Sequence, residues 1–162
     1  MKKFLTIFLV IFLSLSVSAG AYDVFLRNEN EALKKAKIEN KVVFALFTGS
    51  DWCKTCMIFE KNVLKDEEFA KSLEKDFVLL LFDFPKYKPQ QESIAAQNEQ
   101  LLKKYAIEKY PTIVLIAPDG KVLQKMQGIH NQNLKSFMMW FEHENSQVMY
   151  DYKQNLTVEN GK

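Results

Sequence analysis

Apolar runs along the chain predict a sheet that is buried on both faces. Residues 42–47 and 77–84 are almost continuously apolar, and Pro85 follows the second run directly. A third apolar run, 112–116, is joined to 121–126 by the turn sequence Ala117-Pro118-Asp119-Gly120, which predicts a β-hairpin. These four segments are the expected strands.

Segments with helical periodicity precede, separate and follow the expected strands. Residues 28–39 carry Ala32, Leu33, Ala36 and Ile38 towards one side and are expected to end near Asn40. Further helices are expected after residue 53, over 93–105 and over 131–144. The helix after residue 53 should be interrupted near Lys65 and restart at Asp66, a residue type that caps helices.

The order of these elements is helix, strand, helix, strand, helix, hairpin, helix. A strand–helix–strand unit followed by a helix and an antiparallel hairpin predicts an α/β domain with a central mixed β-sheet and helices on both faces. We expect one such domain over 22–145, followed by a polar tail over 146–162.

The first 21 residues have the pattern of a secretory signal peptide. Met1-Lys2-Lys3 precedes an apolar run over 4–17, and Ser18-Ala19-Gly20-Ala21 supplies small residues for cleavage after Ala21. The run is shorter than a typical membrane span, although an uncleaved anchor is the alternative. We expect a periplasmic or secreted protein without stable membrane insertion after cleavage.

The charge of the chain gives no reason to expect a nucleic-acid partner. Its 22 basic and 20 acidic residues give a net charge of +2, and Lys2 and Lys3 of the leader account for that excess. Removal of the leader therefore leaves a balanced chain without the basic surplus typical of nucleic-acid binding.

Both cysteines lie in one short segment, Cys53-Lys54-Thr55-Cys56. A two-residue spacer places two thiols one helical turn apart, close enough to alternate between dithiol and disulfide. A plain structural disulfide is the second interpretation, but such a small loop removes little entropy from the unfolded chain. A metal site is the third, and no metal is expected, because His130 and His143 are too distant for zinc-finger spacing.

Cys53 stands where a turn gives way to helical periodicity. The free N–H groups and the positive end of the dipole at a helix N-terminus favour a thiolate. Cys56, one turn further along, should be more buried. The expected catalytic pair is therefore Cys53, which attacks, and Cys56, which resolves.

The segment Phe47-Thr48-Gly49-Ser50-Asp51-Trp52-Cys53-Lys54-Thr55-Cys56 resembles the active-site stretch of the thioredoxin superfamily, most closely its secreted bacterial branch, which includes the C-terminal domains of disulfide reductases. The resemblance covers residues 32–143 and implies the thioredoxin fold. It also implies that Trp52 partly covers the disulfide and that the Tyr110–Pro111 bond is cis. Trp52, Tyr110 and Pro111 are the implied substrate-binding residues, and Tyr110 would pair with the backbone of an extended substrate.

Four further residues are candidate modulators of the cysteine pair. Lys54 and Thr55 form the spacer, and a cation at Lys54 would favour the thiolate of Cys53; a solvated lysine is the alternative. Many thioredoxins carry a buried aspartate in the strand before the cysteines, where this chain is wholly apolar. Glu60 and Asp83 are candidate substitutes for that acid.

The resulting hypothesis is a monomeric thiol–disulfide oxidoreductase, of the protein disulfide reductase or isomerase type, that acts on exported proteins through Cys53 and Cys56. No cofactor is expected, because the cysteine sulfurs carry the electrons. For a reductase, the resemblance implies a membrane thiol reductase as electron donor. The alternative is a non-enzymatic thioredoxin-like binding module with a structural disulfide.

Overall fold

The computed structural model describes residues 24–129 and 133–160, without the side chains of 156–160. The leader and His130 lie outside these residues, as does any cleavage site. The elements in the described part follow the expected order and have these bounds: α1 Glu29–Glu39, β1 Val42–Thr48, α2 Lys54–Phe59, a π-helical turn Glu60–Leu64, α3 Glu67–Asp76, β2 Phe77–Asp83, α4 Glu92–Lys104, β3 Thr112–Ile116, β4 Val122–Gln127 and α5 Leu134–Asn160.

The described strands form one mixed sheet in the order β2-β1-β3-β4. Strands β1 and β2 are parallel, whereas β3 is antiparallel to β1 and to β4. Thr48 therefore lies beside Asp83, and Phe47 lies beside Thr112. The C-terminal ends of β1 and β2 and the start of β3 meet at one end of the sheet, where the cysteine segment begins.

Helices cover both faces of the sheet, as the apolar runs predict. Alternate residues of β1 point in opposite directions, so Phe44 and Leu46 pack beneath α2, α3 and α5, while Ala45 and Phe47 pack against α1 and α4. The α/β fold with a mixed sheet is confirmed.

Local capping explains where several helices begin and end. The Asn28 side chain accepts the N–H of Glu31 at the start of α1, and Asn40 ends this helix in a left-handed conformation. The Asp66 carboxylate accepts the N–H of Phe69, which confirms the expected restart after Lys65. Ile38 is 81% exposed, so its placement on the buried side of α1 was wrong: it lies about 120° around the helix from Ala32.

The last helix does not end near residue 144. Helix α5 continues to Asn160, so the boundary expected at residue 145 falls inside a helix. Phe141, Asn145, Met149 and Tyr152 recur at spacings of four, four and three residues, and the hydrophobic members pack against the core. No glycine or proline interrupts this stripe, and the segment expected to be a polar tail is part of the fold.

Candidate active site

Cys53 and Cys56 form a disulfide at the start of α2. Cys53 is the N-cap of the helix and its Sγ accepts the backbone N–H of Cys56 at 3.2 Å. The two Cα atoms are 5.2 Å apart. Cys53 is 7% exposed and Cys56 is 2% exposed, so the expected order of burial is confirmed. A backbone N–H at the N-terminus of α2 therefore points at Cys53 Sγ, the sulfur of the more exposed cysteine.

Thr55 connects the disulfide to the loop before β3. Its hydroxyl oxygen lies 3.3 Å from Cys53 Sγ and donates to the carbonyl oxygen of Tyr110 at 3.4 Å. Tyr110 and Cys53 are distant in sequence, and this contact brings them to the same site. The Thr55 hydroxyl therefore links the Cys53 sulfur to the backbone of the loop before β3.

The peptide bond between Tyr110 and Pro111 is cis, as the resemblance implies. The Pro111 carbonyl accepts the backbone N–H groups of Gly128 and Ile129, which ties the loop to the end of β4. Tyr110 is half-buried, and this burial raises the pKa of its phenol. Pairing of Tyr110 with a substrate backbone stays a prediction.

Trp52 is held beside the disulfide by three neighbours. Its Nε1 donates to the carbonyl oxygen of Phe84 at 2.7 Å, and its ring meets that of Tyr110 edge to face at 5.5 Å between centroids. Lys86 Nζ lies 3.9 Å from the centroid of the Trp52 ring, which is a cation–π geometry. Trp52 thus joins the cysteine turn to both adjacent loops.

Gly49 leaves the space that the Trp52 ring occupies. A Cβ atom on Gly49 would lie 2.6 Å from Cε2 and from Nε1 of Trp52, closer than real Cβ contacts allow. Any side chain at this position would displace the indole. Glycine is therefore required here by the close approach of the ring.

Asp51 organises the loop that follows β2. Its carboxylate accepts the backbone N–H groups of Lys86, Tyr87 and Lys88 at 2.9, 2.9 and 2.8 Å. Desolvation acts to raise the pKa of Asp51, but these three hydrogen bonds and the charge of Lys88 outweigh it and lower the pKa below its ordinary value. This role of Asp51 is not evident from the sequence, because its partners are more than thirty residues away.

The two candidate acids make other contacts. Asp83 accepts the backbone N–H and the hydroxyl of Ser50 at 2.9 and 2.6 Å, and Glu60 forms an ion pair with Lys65 at 3.3 Å. Asp83 is thus a structural partner of the turn before Cys53, and a role for either acid in proton transfer stays a prediction. The same holds for the effect of Lys54, whose side chain is exposed beside Cys53.

Within residues 24–129 and 133–160, no cluster of three or more His, Cys, Asp or Glu side chains has the arrangement of a metal site. In the same ranges, no helix combines the length and the hydropathy that a membrane span requires.

The thioredoxin-like domain family matches residues 29–144, which is most of the chain. The chain belongs to this family. It is 32% identical over 102 residues to the thioredoxin-related protein DsbJ of Chlamydia pneumoniae, covering 63% of this chain and 29% of DsbJ. It is also 32% identical over 96 residues to the disulfide bond reductase DsbH of the same organism, covering 59% of this chain and 58% of DsbH.

Solved structures agree with this assignment. A DsbH oxidoreductase structure matches with a TM-score of 0.64 and 26% identity, covering 75% of this chain and 81% of that one. A thioredoxin-fold protein from Helicobacter pylori matches with a TM-score of 0.51 and 16% identity, covering 88% of this chain and 96% of that one, and shares the fold alone. The chain spans less than two thirds of the length of the two Chlamydia relatives.

Proposed function

We propose that this thioredoxin-like chain is an exported thiol–disulfide oxidoreductase that reduces or isomerises disulfides of other exported proteins. The observation that carries the proposal is the hydrogen bond from the Cys56 N–H to Cys53 Sγ at a helix N-terminus. A donor in this position stabilises negative charge on Cys53 in the dithiol form, and the thiolate is the reactive species.

The reaction begins with attack of the Cys53 thiolate on one sulfur of a substrate disulfide. The substrate S–S bond breaks, and the departing sulfur keeps the electron pair and takes a proton from water. The Cys56 thiolate, formed when its thiol loses a proton to solvent, then attacks Cys53 Sγ in the mixed disulfide. The second substrate thiol is released, and two electrons have passed from the chain to the substrate.

Neither a cofactor nor a metal enters this cycle, because the sulfurs supply both electrons. Renewed activity requires an external dithiol to reduce the Cys53–Cys56 disulfide. We propose that a membrane thiol reductase, acting outside the cytoplasm, supplies this dithiol. The similarity to a protein named thiol:disulfide interchange protein DsbD supports only exchange with some thiol–disulfide partner: the two are 22% identical, and the match covers 82% of this chain and 25% of DsbD.

The proposal of export is supported by the signal-peptide pattern of residues 1–21, and an exported chain would act in the periplasm or outside the cell. We expect it to act there as a monomer.

A Cys56→Ser variant produced in cells should retain exported proteins as mixed disulfides through Cys53, visible as bands on a non-reducing gel that disappear on reduction. A Cys53→Ser variant is the matched control. Equal patterns for both variants would favour the alternative of a binding module with a structural disulfide.

The direction of electron flow is tested by the reduction potential of the purified protein, equilibrated with glutathione and measured by thiol alkylation. A reductase should have a potential near about −270 mV or below. A potential near about −120 mV would contradict the reductase proposal and indicate an oxidant of exported proteins.

A further inference from the structure

Exposed lysines and aromatic rings lie on the two loops that contact the cysteine turn. Lys54 follows Cys53, Lys86 and Lys88 enclose Tyr87 in the loop after β2, and Lys109 precedes Tyr110; all four lysines are exposed. Tyr87 is 80% exposed, although burial of an aromatic ring is ordinarily favourable. We call this surface the lysine rim and define it by residues Lys54, Lys86, Tyr87, Lys88 and Lys109.

The structure fixes the loop that carries most of the lysine rim. Three backbone N–H groups of residues 86–88 bind the Asp51 carboxylate, and Phe84 accepts the indole N–H of Trp52. Lys86 Nζ lies over the Trp52 ring. The two lysines of the loop and Tyr87 therefore lie on a backbone anchored to Asp51 and Trp52, the two residues that precede Cys53.

The carboxylates near the rim are mostly engaged within the chain. Asp51 binds backbone N–H groups, Asp83 binds Ser50, and Glu60 pairs with Lys65. Glu108, before Lys109, is an exposed acid in this region. Asp51 and Asp83 keep their negative charge but are partly buried, whereas Lys54, Lys86, Lys88 and Lys109 are exposed and outnumber the exposed Glu108. In the described part of the chain, the outer surface around Cys53 therefore carries an excess of positive charge.

We propose that the lysine rim selects substrate disulfides that are flanked by acidic residues. This inference rests on the proposed function and names its substrate class. Carboxylates of an extended substrate segment pair with Lys86 and Lys88, and the exposed Tyr87 ring packs on the adjoining side chains of that segment. Complementary charge accelerates encounter and fixes the register of a partner, and salt screens the effect.

Three synthetic peptides test the inference. Each has the same length and one intramolecular disulfide, and the flanking residues are acidic, neutral or basic. The reduced purified protein is mixed with each peptide, and the rate constant of peptide reduction is divided by the rate constant for reduction of the same peptide by dithiothreitol. Dithiothreitol also attacks as a thiolate but has no lysines, so the division corrects for the intrinsic reactivity of each disulfide. We expect the corrected rate to be about fivefold higher for the acidic than for the neutral peptide at low salt, and to approach equality in about 1 M salt.

Two double variants locate the effect. Lys86→Gln with Lys88→Gln should reduce the acidic-to-neutral ratio at least about twofold. Lys75→Gln with Lys121→Gln removes the same charge at the opposite end of the sheet and should leave the ratio unchanged. Equal corrected rates for all three peptides, or the same loss of ratio in both double variants, would overturn the rim inference alone. Failure to reduce any peptide would overturn the proposed function and this inference together.

Discussion

Ser50 donates both its backbone N–H and its hydroxyl to the carboxylate of Asp83, at 2.9 and 2.6 Å. These contacts join the turn before Cys53 to the end of the neighbouring strand. Asp83→Ala leaves the Ser50 N–H without this acceptor, so we expect the free energy of unfolding to fall by about 1–3 kcal/mol in urea titrations. Asp83→Asn keeps one acceptor oxygen and should cost less. Unchanged stability with a displaced pH profile of disulfide exchange would instead identify Asp83 as a proton-transfer group.

Gly49→Ala should displace the indole of Trp52. The added methyl group would overlap the ring, and the hydrogen bond from Nε1 to Phe84 would be lost. We expect a red-shifted fluorescence of Trp52, measured in a Trp140→Phe background. We also expect the exchange rate to fall by about tenfold, within the roughly hundredfold loss that a misplacement of about 1 Å at an active site can cause.

Gly120→Ala is the matched control for this substitution. Gly120 lies in the turn between β3 and β4, far from the cysteines, and has a φ of 88°. No atom lies within 4 Å of the position that a Cβ would take there. The alanine should lower stability by about 1 kcal/mol through backbone strain while leaving the Trp52 emission and the exchange rate unchanged. Equal rates for the two alanine variants would contradict the placement of Trp52.

Asp51 should make the stability of the fold depend on pH in the acidic range. Desolvation opposes ionisation, but hydrogen bonds from Lys86, Tyr87 and Lys88 lower the pKa of the folded carboxyl below its ordinary value of 3.8. The stabilisation is therefore complete above the ordinary pKa and is lost as the pH falls through the lowered one.

Unfolding titrations from about pH 5 to about pH 2 measure this dependence. The free energy of unfolding of the unchanged protein should fall more steeply on acidification than that of Asp51→Asn. Amide hydrogen exchange at residues 86–88 should be faster in the variant. Parallel pH profiles would contradict the role of the Asp51 carboxylate in the loop.

The second half of α5 should contribute to stability. Met149 packs against the main core beyond the predicted end of the helix, whereas its neighbour Tyr150 is exposed. Met149→Ala should lower the free energy of unfolding by about 1–2 kcal/mol, and Tyr150→Ala should change it by less than about 0.5 kcal/mol. Similar values for both would mean that this part of the helix does not pack on the core.

The sheet, its covering helices and the position of Cys53 could be predicted from the sequence because they depend on local patterns. Apolar runs gave the strands, and a change of periodicity marked the start of α2. The continuation of α5 was missed because its stripe is short of large apolar residues after Phe141, and only contact with the core reveals what Met149 and Tyr152 do.

The surroundings of the cysteine pair were less predictable because they depend on contacts between distant residues. Nothing next to Asp51 in the sequence indicates that its partners are the backbone N–H groups of residues 86–88. The need for glycine at position 49 likewise becomes evident only when the Trp52 ring is in place. The cis bond before Pro111 was predicted through the family resemblance rather than from the local sequence.

The most direct test of the proposed roles of Cys53 and Cys56 compares the two cysteines as nucleophiles. Reduced Cys56→Ser and Cys53→Ser proteins are mixed with glutathione disulfide at neutral pH, and the mixed disulfide is quantified by intact mass. We predict that glutathione joins Cys53 at least about tenfold faster than Cys56, and that the unchanged protein resolves the adduct into the Cys53–Cys56 disulfide. Equal rates at the two cysteines, or a stable glutathione adduct on the unchanged protein, would contradict these roles.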